Sequence, residues 1–157
     1  MASVKFKESE LCALIGERLP AEQLREKIEM LGMPVDAYEN GIFSVDITPN
    51  RIDLLSEEGM ARAISSLIGH KTGLRNYSAE PSGLRLEIDK SVRGARPYIV
   101  MALARNVKLT DSLLESLIAV QEKIHDTFGR NRKKVSIGLH DASKVSSPFV
   151  YKAVKEF

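Results

Sequence analysis

A chain of 157 residues with 43% hydrophobic and 28% charged residues has the composition of an ordinary folded protein, long enough for one core or two small ones. No apolar run approaches the ~20 residues of a membrane span, the first eight residues lack a signal-peptide stretch, and a single cysteine, Cys12, excludes an internal disulfide and points to a reducing compartment, the cytoplasm. The net charge of +2 divides unevenly, with 9 Lys/Arg against 12 Asp/Glu in residues 1–78 and 14 against 9 in residues 79–157, so a polyanion would be drawn to the second half.

Val4 and Phe6 alternate with lysines as a short strand. Ser9 is placed to cap a helix ending at Gly16, with Cys12 in its apolar pattern and so read as core rather than nucleophile. Pro20 suits the first turn of a second helix, which carries Leu24, Ile28 and Leu31 on one face and stops at Gly32. Residues 34–39 and 41–47 read as a hairpin turning at Asn40-Gly41, which tolerate positive φ. Ser56 caps a third helix with Met60, Ile64, Leu67 and Ile68 on one face and Gly69 at its end. Residues 70–83, with their glycines, serines and Pro81, read as a linker.

The pattern then restarts. Leu84, Leu86 and Ile88 alternate with charges as a half-exposed strand, and the nearly all-apolar residues 98–104 predict a strand buried on both faces. A helix is expected from about residue 111 to 128. Ser112 and Glu115 stand at capping-box spacing, and Leu113, Leu114, Leu117, Ile118, Ile124 and Phe128 form its buried stripe. Gly129 ends it, followed by a basic turn and strands over 135–139 and 149–154. The class is α+β in two units, 1–78 and 79–157. The sequence stops at Lys155-Glu156-Phe157 directly after a strand pattern, and a second unit of about 75 residues is small for a stable core, so a fragment or an unfinished domain is expected.

Three places carry chemistry. Between the hairpin and the third helix, Pro49 ends the strand, Asn50 is a turn device, and Arg51 offers a planar fork for a carboxylate or a phosphate. Asp46 and Asp53 are its local partners, so an internally bonded turn competes with an anion contact. Arg130, Arg132, Lys133 and Lys134 form four cations in five residues. They suit salt-dependent RNA binding, or equally a solvated loop that compensates the helix dipole, and without aromatic residues they offer no base stacking. His140 after a strand is placed as a general base, with Asp141 adjacent in sequence but on the opposite face of a strand; the competing reading is a surface histidine. His70 and His125 read as linker and helix residues. The three histidines and one cysteine have no metal-ligand spacing, and no phosphate-binding glycine loop or serine nucleophile elbow occurs.

The run Thr48-Pro49-Asn50-Arg51-Ile52-Asp53-Leu54-Leu55-Ser56-Glu57-Glu58-Gly59 resembles the Thr-Pro-Asn-Arg-x-Asp-Leu-(Leu/Cys)-Ser-x-x-Gly signature of the phenylalanyl-tRNA synthetase beta-subunit family. Residues 24–35, 96–102 and 117–141 are similar to the archaeal and eukaryotic form in the same order. The resemblance implies an N-terminal α+β unit over 1–78, with a hairpin and three helices, and the first, incomplete part of a tRNA-editing domain over 79–157. It further implies an α2β2 enzyme, with an alpha-subunit partner, that charges tRNA(Phe) using ATP and Mg2+ and hydrolyses mischarged Tyr-tRNA(Phe). A pocket made for a large apolar ring discriminates poorly against a close analogue, which is the physical need for such a second site. No cofactor is expected in these residues themselves. The residues that recognise the tyrosine hydroxyl are expected beyond Phe157. Two other functions remain open: a non-catalytic tRNA-binding or assembly module, and a free-standing deacylase of mischarged tRNA.

Overall fold

The computed structural model describes residues 2–154, which form two compact bodies. The first comprises residues 2–75 and 109–137, the second residues 76–108 and 138–154. The helix beyond the 78/79 boundary is therefore part of the first body.

In that body β1 (Ala2–Lys7) and β2 (Val35–Glu39) flank β3 (Ile42–Ile47) in an antiparallel sheet of order β1-β3-β2. Val4 pairs with Val45 and Phe6 with Phe43, so the period-2 apolar residues share one face. That face is covered by α1 (Glu8–Ile15), α2 (Ala21–Met30) and α3 (Glu57–Leu67), which contribute buried Leu11, Ile15, Leu24, Ile28, Met60 and Ile64. The hairpin turns as its residues predict, with Asn40 at φ 51 and Gly41 at φ 76. Helix α1 begins at Glu8 without a side-chain cap, so Ser9 lies inside it. The strand hands over directly to the helix, with the Glu8 amide held by Gly41 O at 2.9 Å. Gly16 ends α1 in the left-handed conformation.

Helix α4 (Asp111–Asp126) is capped by Thr110, whose hydroxyl accepts from the Leu113 amide at 3.2 Å. The capping box at Ser112 and Glu115 does not form, because the Ncap lies two residues earlier. Only part of the expected stripe is covered. Of its residues Ile124 packs against the core, joined there by Val120 from outside the stripe, while Leu114 is 45%, Ile118 49% and Phe128 46% exposed.

The second body pairs β4 (Leu86–Ile88) in parallel with β5 (Phe149–Tyr151). The Tyr151 hydroxyl donates to Arg96 O at 3.1 Å, and the Ala153 amide donates to Ser91 Oγ at 3.0 Å. Residues 98–104 are not a strand, and Tyr98 and Val100 are 89% and 96% exposed. A strand buried on both faces needs a ladder partner and two covering layers, and the described residues supply neither. Residues 135–139 likewise form no strand. Lys155, Glu156 and Phe157, where the sequence reading ends abruptly, lie outside the described residues.

Candidate functional site

After Ile47 the signature residues fold into a braced turn. The Arg51 amide donates to Thr48 O at 3.0 Å, and Ile52–Leu54 make one turn of 3-10 helix. The Arg51 guanidinium grips Asp53 with both arms, Nε to Oδ1 at 3.0 Å and Nη2 to Oδ2 at 2.9 Å. That bond holds the Asp53 carboxyl below its usual range. Ser56 Oγ then accepts from the Gly59 amide at 3.1 Å and caps α3, as its position predicts. Glu57, in the first turn of α3, accepts from the Lys7 amide at 3.0 Å, which ties the end of β1 to that helix. Burial pushes the Glu57 carboxyl up. Leu54 and Leu55 anchor the turn in the core. The internally bonded reading of Arg51 is the one built here, with Asp53 rather than Asp46 as partner.

The basic turn is held as firmly. Arg130, Asn131 and Arg132 all take positive φ, at 49, 54 and 63. Three successive non-glycine residues in that region are unusual, since Cβ crowds the following carbonyl there. Backbone bonds close the turn around Gly129: Lys134 N to Gly129 O at 2.8 Å and Arg132 N to His125 O at 3.1 Å. A Cβ on Gly129 would stand 2.6 Å from Val135 O. Beneath lies His125, 2% exposed. Its Nε2 accepts from the Ile137 amide at 2.8 Å, so the ring proton is assigned to Nδ1, which faces Glu122 Oε1 at 3.3 Å. Glu122 also receives Arg132, and that bond lowers the Glu122 carboxyl. Lys134 Nζ sits 5.4 Å over the Phe128 ring. The side chains of Arg130, Arg132, Lys133 and Lys134 are exposed around this knot.

His140 is exposed and follows an irregular segment. The Asp141 carboxylate is turned to Ser143, accepting from its amide at 3.0 Å and its hydroxyl at 2.7 Å, which lowers the carboxyl. Asp141 is thus a local turn device, and the structure does not join it to His140. His70 pairs with Glu17 at 3.1 Å. Cys12, half-buried, packs against the core as its pattern predicts. Sequence reasoning missed His125 as a buried keystone, because its partner amide lies 12 residues downstream. It also missed a cleft along α3 where Arg62, Lys71 and Arg75 meet the signature turn. Among the described residues no three His, Cys, Asp or Glu side chains converge as metal ligands.

No family model matches the chain. A beta subunit of phenylalanine–tRNA ligase from Methanocaldococcus jannaschii is 44% identical over 98% of this chain, and one from Methanocorpusculum labreanum is 40% identical over 96%. The chain spans 28% of the length of each of these relatives. The crystal structure of an N-terminal fragment of the phenylalanyl-tRNA synthetase beta subunit from Pyrococcus horikoshii matches 98% of this chain and 46% of that one, at 34% identity and a TM-score of 0.90. Sequence and fold agree over nearly the whole chain, and the chain belongs to the phenylalanyl-tRNA synthetase beta-subunit family, corresponding to its N-terminal portion.

Proposed function

We propose that this chain serves within a phenylalanyl-tRNA synthetase, as the part of the beta subunit that supports charging of tRNA(Phe) and leads into the domain that edits Tyr-tRNA(Phe). The observation that carries this reading is the agreement of sequence and fold over nearly the whole chain with beta subunits of that enzyme. The parent assembles with an alpha subunit as α2β2 in the cytoplasm, and its editing domain begins within residues 79–157, in the parts that belong to the second body. ATP and Mg2+ belong to the parent's charging reaction. The described residues offer no ligand set for the metal. No helix among them is long and apolar enough to cross a membrane.

Within this reading the basic turn contacts the RNA backbone. Its cations stand on a closed hydrogen-bonded loop rather than a free tether, so little side-chain-bearing backbone must be ordered on binding. Arg130, Lys133 and Lys134 are the phosphate contacts, and Arg132 mainly braces the turn through Glu122. Lys133→Ala with Lys134→Ala weakens tRNA(Phe) binding and lowers its salt slope by roughly 1 to 2. An unchanged slope returns the turn to a solvated loop. His140 is the candidate group for hydrolysis: His140→Ala in the complete subunit slows Tyr-tRNA(Phe) deacylation while tRNA binding holds. Normal deacylation removes His140 from the chemistry.

The whole reading is tested by the native gene product. Purified from its own cells, it should have a mass far above 17.4 kDa and co-elute with a second subunit and phenylalanine-charging activity. A lone protein of 17.4 kDa would put the binding module or free-standing deacylase in its place. The binding-module alternative rests on one observation, that the basic turn is built into the first body rather than the second.

A further inference from the structure

Along the outer side of α3 an open cleft of about 500 Å³ runs between the signature turn and residues 71–75. Arg62, Lys71 and Arg75 line it together with the Arg51–Asp53 pair. Among the described residues Asp53 is the only carboxylate in the lining, and both its oxygens accept from Arg51. No salt bridge joins Arg62, Lys71 or Arg75 to a carboxylate among the described residues. Arg62 shares the field of Asp53 with Arg51, and four cations against one carboxylate leave the lining with an excess of positive charge over one short face. Between them the surface is aliphatic: Leu67 is 39% and Leu74 98% exposed.

We propose that this cleft docks an acidic polypeptide segment bearing aliphatic side chains, such as one face of an amphipathic helix. Charge complementarity names the sign of the partner, since a rim with excess positive charge attracts carboxylates and repels basic segments. The exposed leucines name its other property. A leucine left in water beside cations is covered by apolar side chains of a partner that brings acids at the same spacing, the helix-in-groove arrangement. Nucleic acid fits less well. Strand-binding grooves place aromatic rings under the bases, and among the described residues no aromatic side chain lines this cleft. The cations would hold phosphates as well as carboxylates, but a nucleic-acid backbone brings no apolar group to cover Leu67 and Leu74. The small size of the cleft makes this a weak, salt-sensitive contact. The inference does not depend on an RNA role for the basic turn, which uses different residues.

The test uses the intact chain and fluorescence anisotropy. The probe is a labelled helical peptide of about 16 residues with Glu and Leu at i, i+4 spacing, compared with its Gln/Leu and Glu/Ala counterparts and a single-stranded RNA of similar charge. The Glu/Leu peptide should bind, with both counterparts weakened about fivefold or more. Arg62→Ala with Lys71→Ala, and separately Leu74→Ser, should each weaken it by a similar factor. Lys133→Ala with Lys134→Ala should leave it unchanged. Leu74 is almost wholly exposed, so its substitution tests the site without endangering the fold. Peptide binding indifferent to the cleft variants overturns the proposal. So does RNA binding that the same variants weaken more than they weaken the peptide.

Discussion

The carbonyl oxygen of Asp53 stands 1.7 Å from the position a Cβ on Gly59 would take, so the signature turn and α3 meet through bare backbone. Gly59 is buried and helical, and its need is steric rather than conformational. The obstruction is main chain, which cannot swing aside. Gly59→Ala should therefore destabilise the first body by about 3 kcal/mol, read as a fall in the urea midpoint. Gly94→Ala, with nothing within 4 Å of the new carbon, is the matched control and should move stability by no more than about 0.5 kcal/mol. Equal effects at the two positions would remove the steric account.

Ser56 contributes in the same turn through its hydroxyl. Ser56→Ala should cost about 1 kcal/mol, and Ser56→Asp should recover most of it, since both Ser and Asp accept from the third amide of the helix. A cap with no energetic role would make the two variants indistinguishable by thermal melting.

Under the basic turn, His125 accepts the Ile137 amide in a site that excludes water. His125→Phe keeps the bulk but orphans that N–H, and about 2 kcal/mol should be lost. Hydrogen exchange should rise most at residues 130–137, the segment tied to the ring. His125→Gln, which retains an acceptor, should restore part of the protection. Uniform exchange across the body in the Phe variant would argue against a local keystone.

Acid should act on the signature turn in two opposite ways. Asp53 is held below its ordinary range by Arg51. Its contribution is thus present above about pH 4 and lost as pH falls through its lower folded value. The pair is largely exposed, with Asp53 at 60%, so solvent screening limits it to about 0.5 kcal/mol. Glu57 is shifted the other way by burial, and its protonation between the ordinary and the raised value favours the folded state. Asp53→Asn should flatten the fall of stability below about pH 4, while Glu57→Gln should steepen the acid-side loss. Urea titrations across pH 3 to 6, roughly the span of both carboxyls, separate them. Slopes that move together would contradict the two assignments.

Local chemistry was the legible part of this chain. Asn40-Gly41, Gly16 and Ser56 act where their side chains or missing side chains say they should, because a turn or cap is settled within four residues. The α+β class and the signature turn followed from the same short-range signals. What escaped were facts settled at a distance. Residues 98–104 are apolar enough for a buried strand, yet burial needs layers that no local pattern guarantees. The sequence pattern groups helix α4 with the residues after 78, but Val120 and Ile124 pack on the core of the first body. The sequence puts His140 at the end of a strand that does not form, so its surroundings are not legible there either. The Gly59 requirement was visible only as a letter in a motif until the Asp53 carbonyl was placed above it.

The left-handed run at Arg130, Asn131 and Arg132 bears on how this chain could have been written more cheaply. Glycine occupies such φ values without steric penalty, whereas each L residue there gives up about 1 kcal/mol. A loop needed only to reverse direction would be more stable as glycines. Two of its three left-handed positions are arginines instead, so the connection after α4 trades backbone ease for guanidinium groups held at fixed places on the surface.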